Sequence, residues 1–233
     1  MNKFILSCLF LSFVFVSCST TTSPNSGGAG VGNTFNYILS QYDTNGVQLA
    51  QDQSESTTIT STNMNYQGRS GVTAQSTSNG SGTNKVDYFS FDANGDVDQF
   101  AILATDAIGT SIKSEWMTYP FVSTSPKVYT FDSTFSDGFG GTTMINWTAT
   151  LTNAGTASVT VGNQAVNAEV VSMVVHESDN SFGNRTADAT DLYYYAPSLH
   201  QFVKQVIRQH VISDLTGDQT DVITTTLVSY SLK

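Results

Sequence analysis

The sequence predicts a mainly β fold: a single antiparallel sheet, strongly curved or closed halfway into a barrel, with a two-sheet β-sandwich as the alternative. Three observations predict it. In "TTMINWTATL" (142–151), Ile145, Trp147, Ala149 and Leu151 alternate with Asn146, Thr148 and Thr150, the period of two that puts one set on a buried face and the other in water. Similar runs recur at close spacing between turn dipeptides, as in an antiparallel meander. Charged residues make up 12% of the chain, about half the usual ~25%, so that Ser, Thr, Asn and Gly carry the polar surface, a palette of strands and turns.

The chain opens with a different segment. Met1-Asn2-Lys3 is short and carries one positive charge, and Phe4 to Val16 is apolar apart from Ser7, Cys8 and Ser12. That run matches a signal-peptide h-region and falls short of the roughly 17–25 residues that a membrane-spanning helix needs. It closes on Phe15-Val16-Ser17-Cys18, which resembles the lipobox of bacterial lipoproteins: a bulky apolar residue, a small or apolar one, and a small one before a cysteine. The resemblance implies a signal over 1–17, cleavage before Cys18, and acylation of Cys18, which would then hold the protein to a membrane. Lasting attachment requires more than one acyl chain, since each buried CH₂ contributes about 0.8 kcal/mol. Cys8 would leave with the signal, so the mature chain has no pair of cysteines for a disulfide and must fold on its core alone.

Residues 18–33 read as the lipidated cysteine followed by a flexible tether. "STTTSPNSGGAGVGN" has no apolar periodicity and buries nothing; extended, it reaches roughly 50 Å at about 3.3–3.6 Å per residue. From Thr34 to Lys233 the chain reads as one β domain. Asn45-Gly46 and Asn94-Gly95 each sit between strand-like runs, and Asn-Gly accepts the positive φ of a tight hairpin turn. "NAG" at 153–155 reads as a turn, "ASVTV" (157–161) as a strand, and Gly162-Asn163 as the next turn. "NAEVVSMVVHES" (167–178) is apolar at consecutive positions, the mark of a strand covered at least partly on both faces. A last turn falls near Gly217. Residues 198–211 resist: Leu199, Phe202, Val203, Val206, Ile207 and Val211 have helical spacing, Ser198 with Gln201 matches a capping box, and yet the segment is rich in β-branched residues.

Charge excludes some functions. With 9 Lys+Arg against 19 Asp+Glu, the chain lacks the dense positive charge that displaces counterions from nucleic acid, and it has no basic patch for anionic lipid. Enzyme motifs are missing. No G-x-S-x-G or HExxH occurs, and "SDN" at 178–180 stands without its β-lactamase partners. The expectation is a non-enzyme without a cofactor, a cryptic hydrolase being the remote alternative. A weak calcium candidate is "DANGDVD", with Asp92, Asn94, Asp96 and Asp98 at alternate positions; the glycine at loop position 4 and Leu103 at position 12 depart from an EF-hand loop, and Asp and Asn at a hairpin turn need no metal. No other metal site is expected: His176, His200 and His210 are scattered in sequence. The aromatic residues of "EWMTYPFV" (115–122), with Trp147, are the remaining lead, and Trp116, Tyr119, Phe121 and Trp147 are the candidates for an apolar ligand.

"VTVGNQAVNAEVVSMVV" (159–175) followed by "DLYYYAPSLHQFVKQV" (191–206) resembles the C-terminal half of uncharacterised bacterial envelope lipoproteins, which are broadly similar to the curved, half-open sheets of the LolA/LolB lipoprotein-carrier superfamily. The resemblance implies that 200–212 is a strand. It implies an envelope protein that binds a hydrophobic small molecule or a lipidated partner on a concave sheet face; an interaction or adhesion module without a cavity is the alternative. It carries over no catalytic residue. Ser19 after the cysteine suits the rule by which some bacteria sort lipoproteins to the outer membrane.

Overall fold

The computed structural model describes residues 30–79, 84–105, 111–136, 141–180 and 183–233. The signal segment 1–17, Cys18 and most of the tether lie outside them. Twelve strands form one antiparallel sheet: β1 (Thr34–Asp43), β2 (Gln53–Tyr66), β3 (Arg69–Asn79), β4 (Asn84–Phe91), β5 (Val97–Thr105), β6 (Ser111–Tyr119), β7 (Lys127–Ser136), β8 (Thr142–Val161), β9 (Gln164–Asp179), β10 (Arg185–Ala196), β11 (Gln201–Ser213) and β12 (Gly217–Ser231). The mainly β, single-sheet expectation holds, and the sandwich is not formed.

The strands lie in the order β6-β5-β4-β3-β2-β1-β12-β11-β10-β9-β8-β7. Two six-strand meanders are thus joined through β1 and β12, which pair over the whole length of β1, from Thr34 opposite Ser231 to Asp43 opposite Asp221. The sheet curls until its end strands, β6 and β7, face each other in a nearly closed barrel. Among the described residues no ladder joins them, and side-chain hydrogen bonds bridge the gap. Thr118 N donates to Tyr129 Oη at 2.7 Å, and Asn153 Nδ2 donates to the Phe121 carbonyl at 2.6 Å.

The Asn-Gly positions turn as their chemistry dictates. Asp92 Oδ1 accepts from Asn94 N and Asp96 N, an Asx-type turn in which Gly95 takes φ +90°. Gly46, Gly162 and Gly217 also adopt positive φ at or beside their turns. One expectation changes, and one open reading closes. "NAG" at 153–155 is not a turn: β8 continues from Thr142 to Val161, with a register shift between Asn153 and Gly155. Gly155 takes φ +89° and its N donates to Asn153 Oδ1 at 2.8 Å, so the residues form a β-bulge that bends the strand. Beyond it the β8–β9 hairpin folds over the barrel end, where Tyr230 Oη donates to Gln164 Oε1 at 3.4 Å. Residues 201–213 are strand, as the resemblance implies and helical spacing does not. Their apolar pattern is strand alternation broken by a bulge: β11 shifts register so that Tyr194 faces Lys204 but Tyr195 faces Phe202.

The two ends of the barrel differ. At the end where β1 begins and β12 finishes, inward residues are large and apolar: Phe35, Phe89, Leu227, Tyr119, Tyr193 and Phe202 are each no more than 4% exposed. Lys233 N donates there to the buried Asn33 Oδ1 at 2.8 Å. Toward the other end the inward positions become polar, and the outermost of them, Leu39, Gln41, Glu55, Glu115 and Ile223, are half-exposed. The outward face carries Thr, Ser and charged residues at mid-strand. His176, Asp188 and His210 stand in one cross-strand row, and Asp188 Oδ1 lies 2.7 Å from His176 Nδ1.

Candidate functional site

The inner wall of the barrel holds buried polar side chains between the aromatic end and the half-exposed end. The β3–β4 ladder sets Gln75 opposite Asp87. Across the barrel, Gln205 on β11 stands opposite Tyr193 on one side and Thr225 on the other, and Asp191 is two residues before Tyr193 on the same inward face of β10. Gln75, Asp87, Asp191, Gln205 and Thr225 are each at most 4% exposed. Gln75 and Gln205 have no hydrogen-bond partner at either amide atom, and Asp87 Oδ2, Asp191 Oδ1 and Thr225 Oγ1 have none either. Buried polar groups are normally paired, because leaving one bare costs about 1–3 kcal/mol. Several such groups on one inner wall mark a place that the chain does not complete by itself.

Tyrosine 119 links the two sides. Its hydroxyl donates to Gln99 Oε1 at 3.1 Å, its ring meets that of Tyr193 edge-on at 5.0 Å, and burial, with the charges of Asp191 and Asp87 adding to it, holds the phenol well above its ordinary range. Asp191 Oδ2 accepts from Tyr193 Oη at 3.1 Å; burial pushes this carboxyl from 3.8 up to about 7, against the opposing effect of that hydrogen bond. Asp87 is also raised by burial, although Lys85 Nζ lies 2.7 Å from its Oδ1. A second charged group lines the wall nearer the half-exposed end. Arg185 bridges Glu177 and Asp179, and burial raises Glu177 to about 7 in spite of the guanidinium.

The structure places the sequence candidates in three settings. Tyr119 and Phe121 come together at the aromatic end, 6.4 Å apart, packed with Tyr193, Tyr195 and Phe202. Trp147 faces inward from β8, between Phe131 and Glu177 in the ladders, and is 5% exposed. Trp116 faces outward. There the β2–β3 hairpin folds back on the outer wall: Tyr66 stacks on Tyr88 at 3.6 Å, Trp116 Nε1 donates to the Gln67 carbonyl at 3.2 Å, and Arg69 lies over the Trp116 ring at 4.6 Å.

The four residues of "DANGDVD" each have a structural task. Asp92 and Asn94 form the β4–β5 turn. Asp96 Oδ1 accepts from Val122 N at 2.7 Å and Ser123 N at 3.0 Å, which fixes the β6–β7 connection. Asp98 receives Arg69 and the Thr118 hydroxyl. Among the described residues no group of three or more His, Cys, Asp or Glu side chains is placed to hold a metal ion.

No family model matches the sequence, and no curated protein matches it. Solved structures of similar shape exist. One is a candidate lipoprotein from Parabacteroides distasonis, with TM-score 0.49 and 12% identity over 87% of this chain and 96% of that one. Another is a candidate exported protein with a YmcC-like fold from Bacteroides fragilis, with TM-score 0.44 and 10% identity over 95% and 100%. A third is the hypothetical lipoprotein YmcC from Escherichia coli, with TM-score 0.40 and 11% identity over 85% and 84%.

Proposed function

We propose that the chain is a lipid-anchored protein of the bacterial envelope, without catalytic activity, that holds a small ligand inside its barrel. The anchor is Cys18, read from the signal-like run and the Phe15-Val16-Ser17-Cys18 box; Ser19 favours the outer membrane. One observation carries the ligand reading: unpartnered buried amide, hydroxyl and carboxyl atoms on the inner wall. The aromatic faces at Tyr119 and Phe121 are occupied by the chain's own rings, so the ligand belongs beside them, at Gln75, Asp87, Asp191 and Gln205. This differs from a lipid carrier, whose concave face stays apolar and free.

Native mass spectrometry of the full lipidated chain, purified from its own membranes in a mild detergent, tests the reading. The expected result is a bound small molecule that is lost when Gln75→Leu and Gln205→Leu are combined. A single unliganded mass, both on purification and after exposure to an aqueous cell extract, would sink it. Cys18→Ala tests the anchor separately, by release of the protein from the membrane fraction.

A further inference from the structure

We propose that the ligand is a neutral polyhydroxylated molecule of the sugar class, held by two adjacent hydroxyls among Asp191, Gln205 and Thr225; this rests on the interior ligand site argued above. The ladders bring these three residues together. Gln205 on β11 is paired directly with Thr225 on β12 and with Tyr193 on β10. Asp191, two residues before Tyr193, is paired with Ile207 and so stands diagonally beside Gln205. Side chains directly opposite one another start about 4.5–5.5 Å apart and diagonal neighbours about 7–8 Å apart, within the span of one small molecule. All three residues are at most 4% exposed. Gln205 and Thr225 are placed to bond to each other and do not: neither amide atom of Gln205 has a partner, nor does Thr225 Oγ1. Asp191 Oδ2 takes the Tyr193 hydroxyl, and its Oδ1 is bare.

The bare atoms require both kinds of hydrogen bond. Gln205 Nε2 donates, Gln205 Oε1 and Asp191 Oδ1 accept, and Thr225 Oγ1 does either. An ammonium group only donates and leaves Nε2 bare. A carboxylate or phosphate only accepts, leaves Oε1 bare and meets the acid besides. An alkyl chain leaves every one of them bare. A hydroxyl both donates and accepts. Of two adjacent hydroxyls, one donates to Gln205 Oε1 and accepts from Thr225 Oγ1. The other accepts from Gln205 Nε2 and donates to Asp191 Oδ1. The set is then complete without a charge on the ligand.

The three residues lie next to the half-exposed end. Leu39 on β1 is paired with Thr225, and Ile223 follows Thr225 on the inward face of β12 toward that end; both are half-exposed. Ile207 is paired with Ile223. These aliphatic side chains offer apolar surface to the carbon faces of a polyol. Apolar lining with a few placed polar groups is the make-up of a small-molecule site.

The experiment is calorimetric titration of the full chain, solubilised in a detergent without a sugar headgroup. The neutral probes are glucose, galactose, mannose and ribitol; spermidine and octanoate are compared with them. Any molecule that the chain carries through purification is released with denaturant and weighed by mass spectrometry before and after acetylation, which counts its hydroxyls. The expected result is binding of a neutral probe, or release of a molecule with several hydroxyls. Thr225→Val should weaken that binding about fivefold and Gln205→Leu about thirtyfold, while both variants keep or raise the urea midpoint of the ligand-free chain, a pairing that a merely structural role would not give. Thr224→Val, the same change on the outer face one residue away, should leave binding intact. Binding of spermidine or octanoate and of no neutral probe, or release of a molecule without hydroxyls, overturns the sugar inference and leaves the interior site standing. Neutral binding that Thr225→Val and Gln205→Leu both leave unchanged overturns the placement. If no probe binds and the purified chain carries no small molecule, the interior site itself falls.

Discussion

Gln75 shows how a single residue hides its role. In "RSGVTAQSTSN" alternation would send Val72 and Ala74 inward and Thr73, Gln75 and Thr77 to water. The ladders do the reverse, for Thr73 faces the inward Phe89 and Gln75 faces Asp87. Val72 and Ala74 are buried as well, on the outer wall, so both faces of β3 are covered and the polar one is the interior. The same inversion conceals Gln205. The polar half of the site was therefore illegible in sequence, whereas the aromatic half at Tyr119 and Phe121 stood out by composition. An unpartnered buried amide costs about 1–3 kcal/mol, so Gln205→Met in the ligand-free protein is expected to raise the urea midpoint, a gain of about 1–2 kcal/mol; a loss would reveal a partner. Asp191 sets a pH dependence. Its carboxyl is raised from 3.8 to about 7, so the folded state holds a proton that the unfolded state has released between those values. Its contribution is intact below pH 4 and is lost as the pH rises toward 7, by at most about 1.4 kcal/mol per unit. Glu177, raised from 4.5 to about 7, acts with the same sign. Chemical denaturation from pH 4 to 8 should show stability falling, and Asp191→Asn should flatten the fall.

At the scale of the element, the instructive segments are those with two local readings. Residues 201–213 carry helical spacing because a bulge opposite Tyr195 inserts Val203 and because the strand is covered on both faces beyond it, Val206 being buried outside and Ile207 inside. Asn153-Ala154-Gly155 has turn chemistry and is used as a bulge, since both need one residue at positive φ. Local sequence does not separate the two; what decides is pairing with β9, distant in the chain. The Gly155 position offers a clean measurement. An added Cβ would meet nothing within 4 Å, so Gly155→Ala is expected to cost about 1–2 kcal/mol from backbone conformation alone. Asp96→Ala removes two hydrogen bonds to the β6–β7 connection; a loss of about 2–3 kcal/mol is expected, with amide exchange rising first at residues 121–126. Exchange that stays slow there would show the seam held by other means.

For the whole molecule, sequence order and spatial order disagree at one place. Every neighbouring pair of strands is consecutive in the chain except β1 with β12, and the one consecutive pair without a ladder is β6 with β7. Alternation and turn signals revealed the many hairpins; the long-range closure has no local signature. A circular permutant that joins Lys233 to Gly30 by a short linker and opens between Val122 and Pro126 would lay all twelve strands in spatial order. It should fold to the same structure and fold faster, because the one costly long-range closure becomes local. Stopped-flow refolding checks this, and a permutant that fails to fold would mean that the seam helps to direct folding.

The chain enters β1 at the aromatic end, beside Lys233. A lipid on Cys18 would therefore moor the barrel by its stopper, with the polar, half-exposed end looking away from the bilayer like the bowl of a goblet held by its stem. With such a mooring, whatever entered the bowl would come from the surrounding water, and the slack of the mooring would set how far into that water it dips.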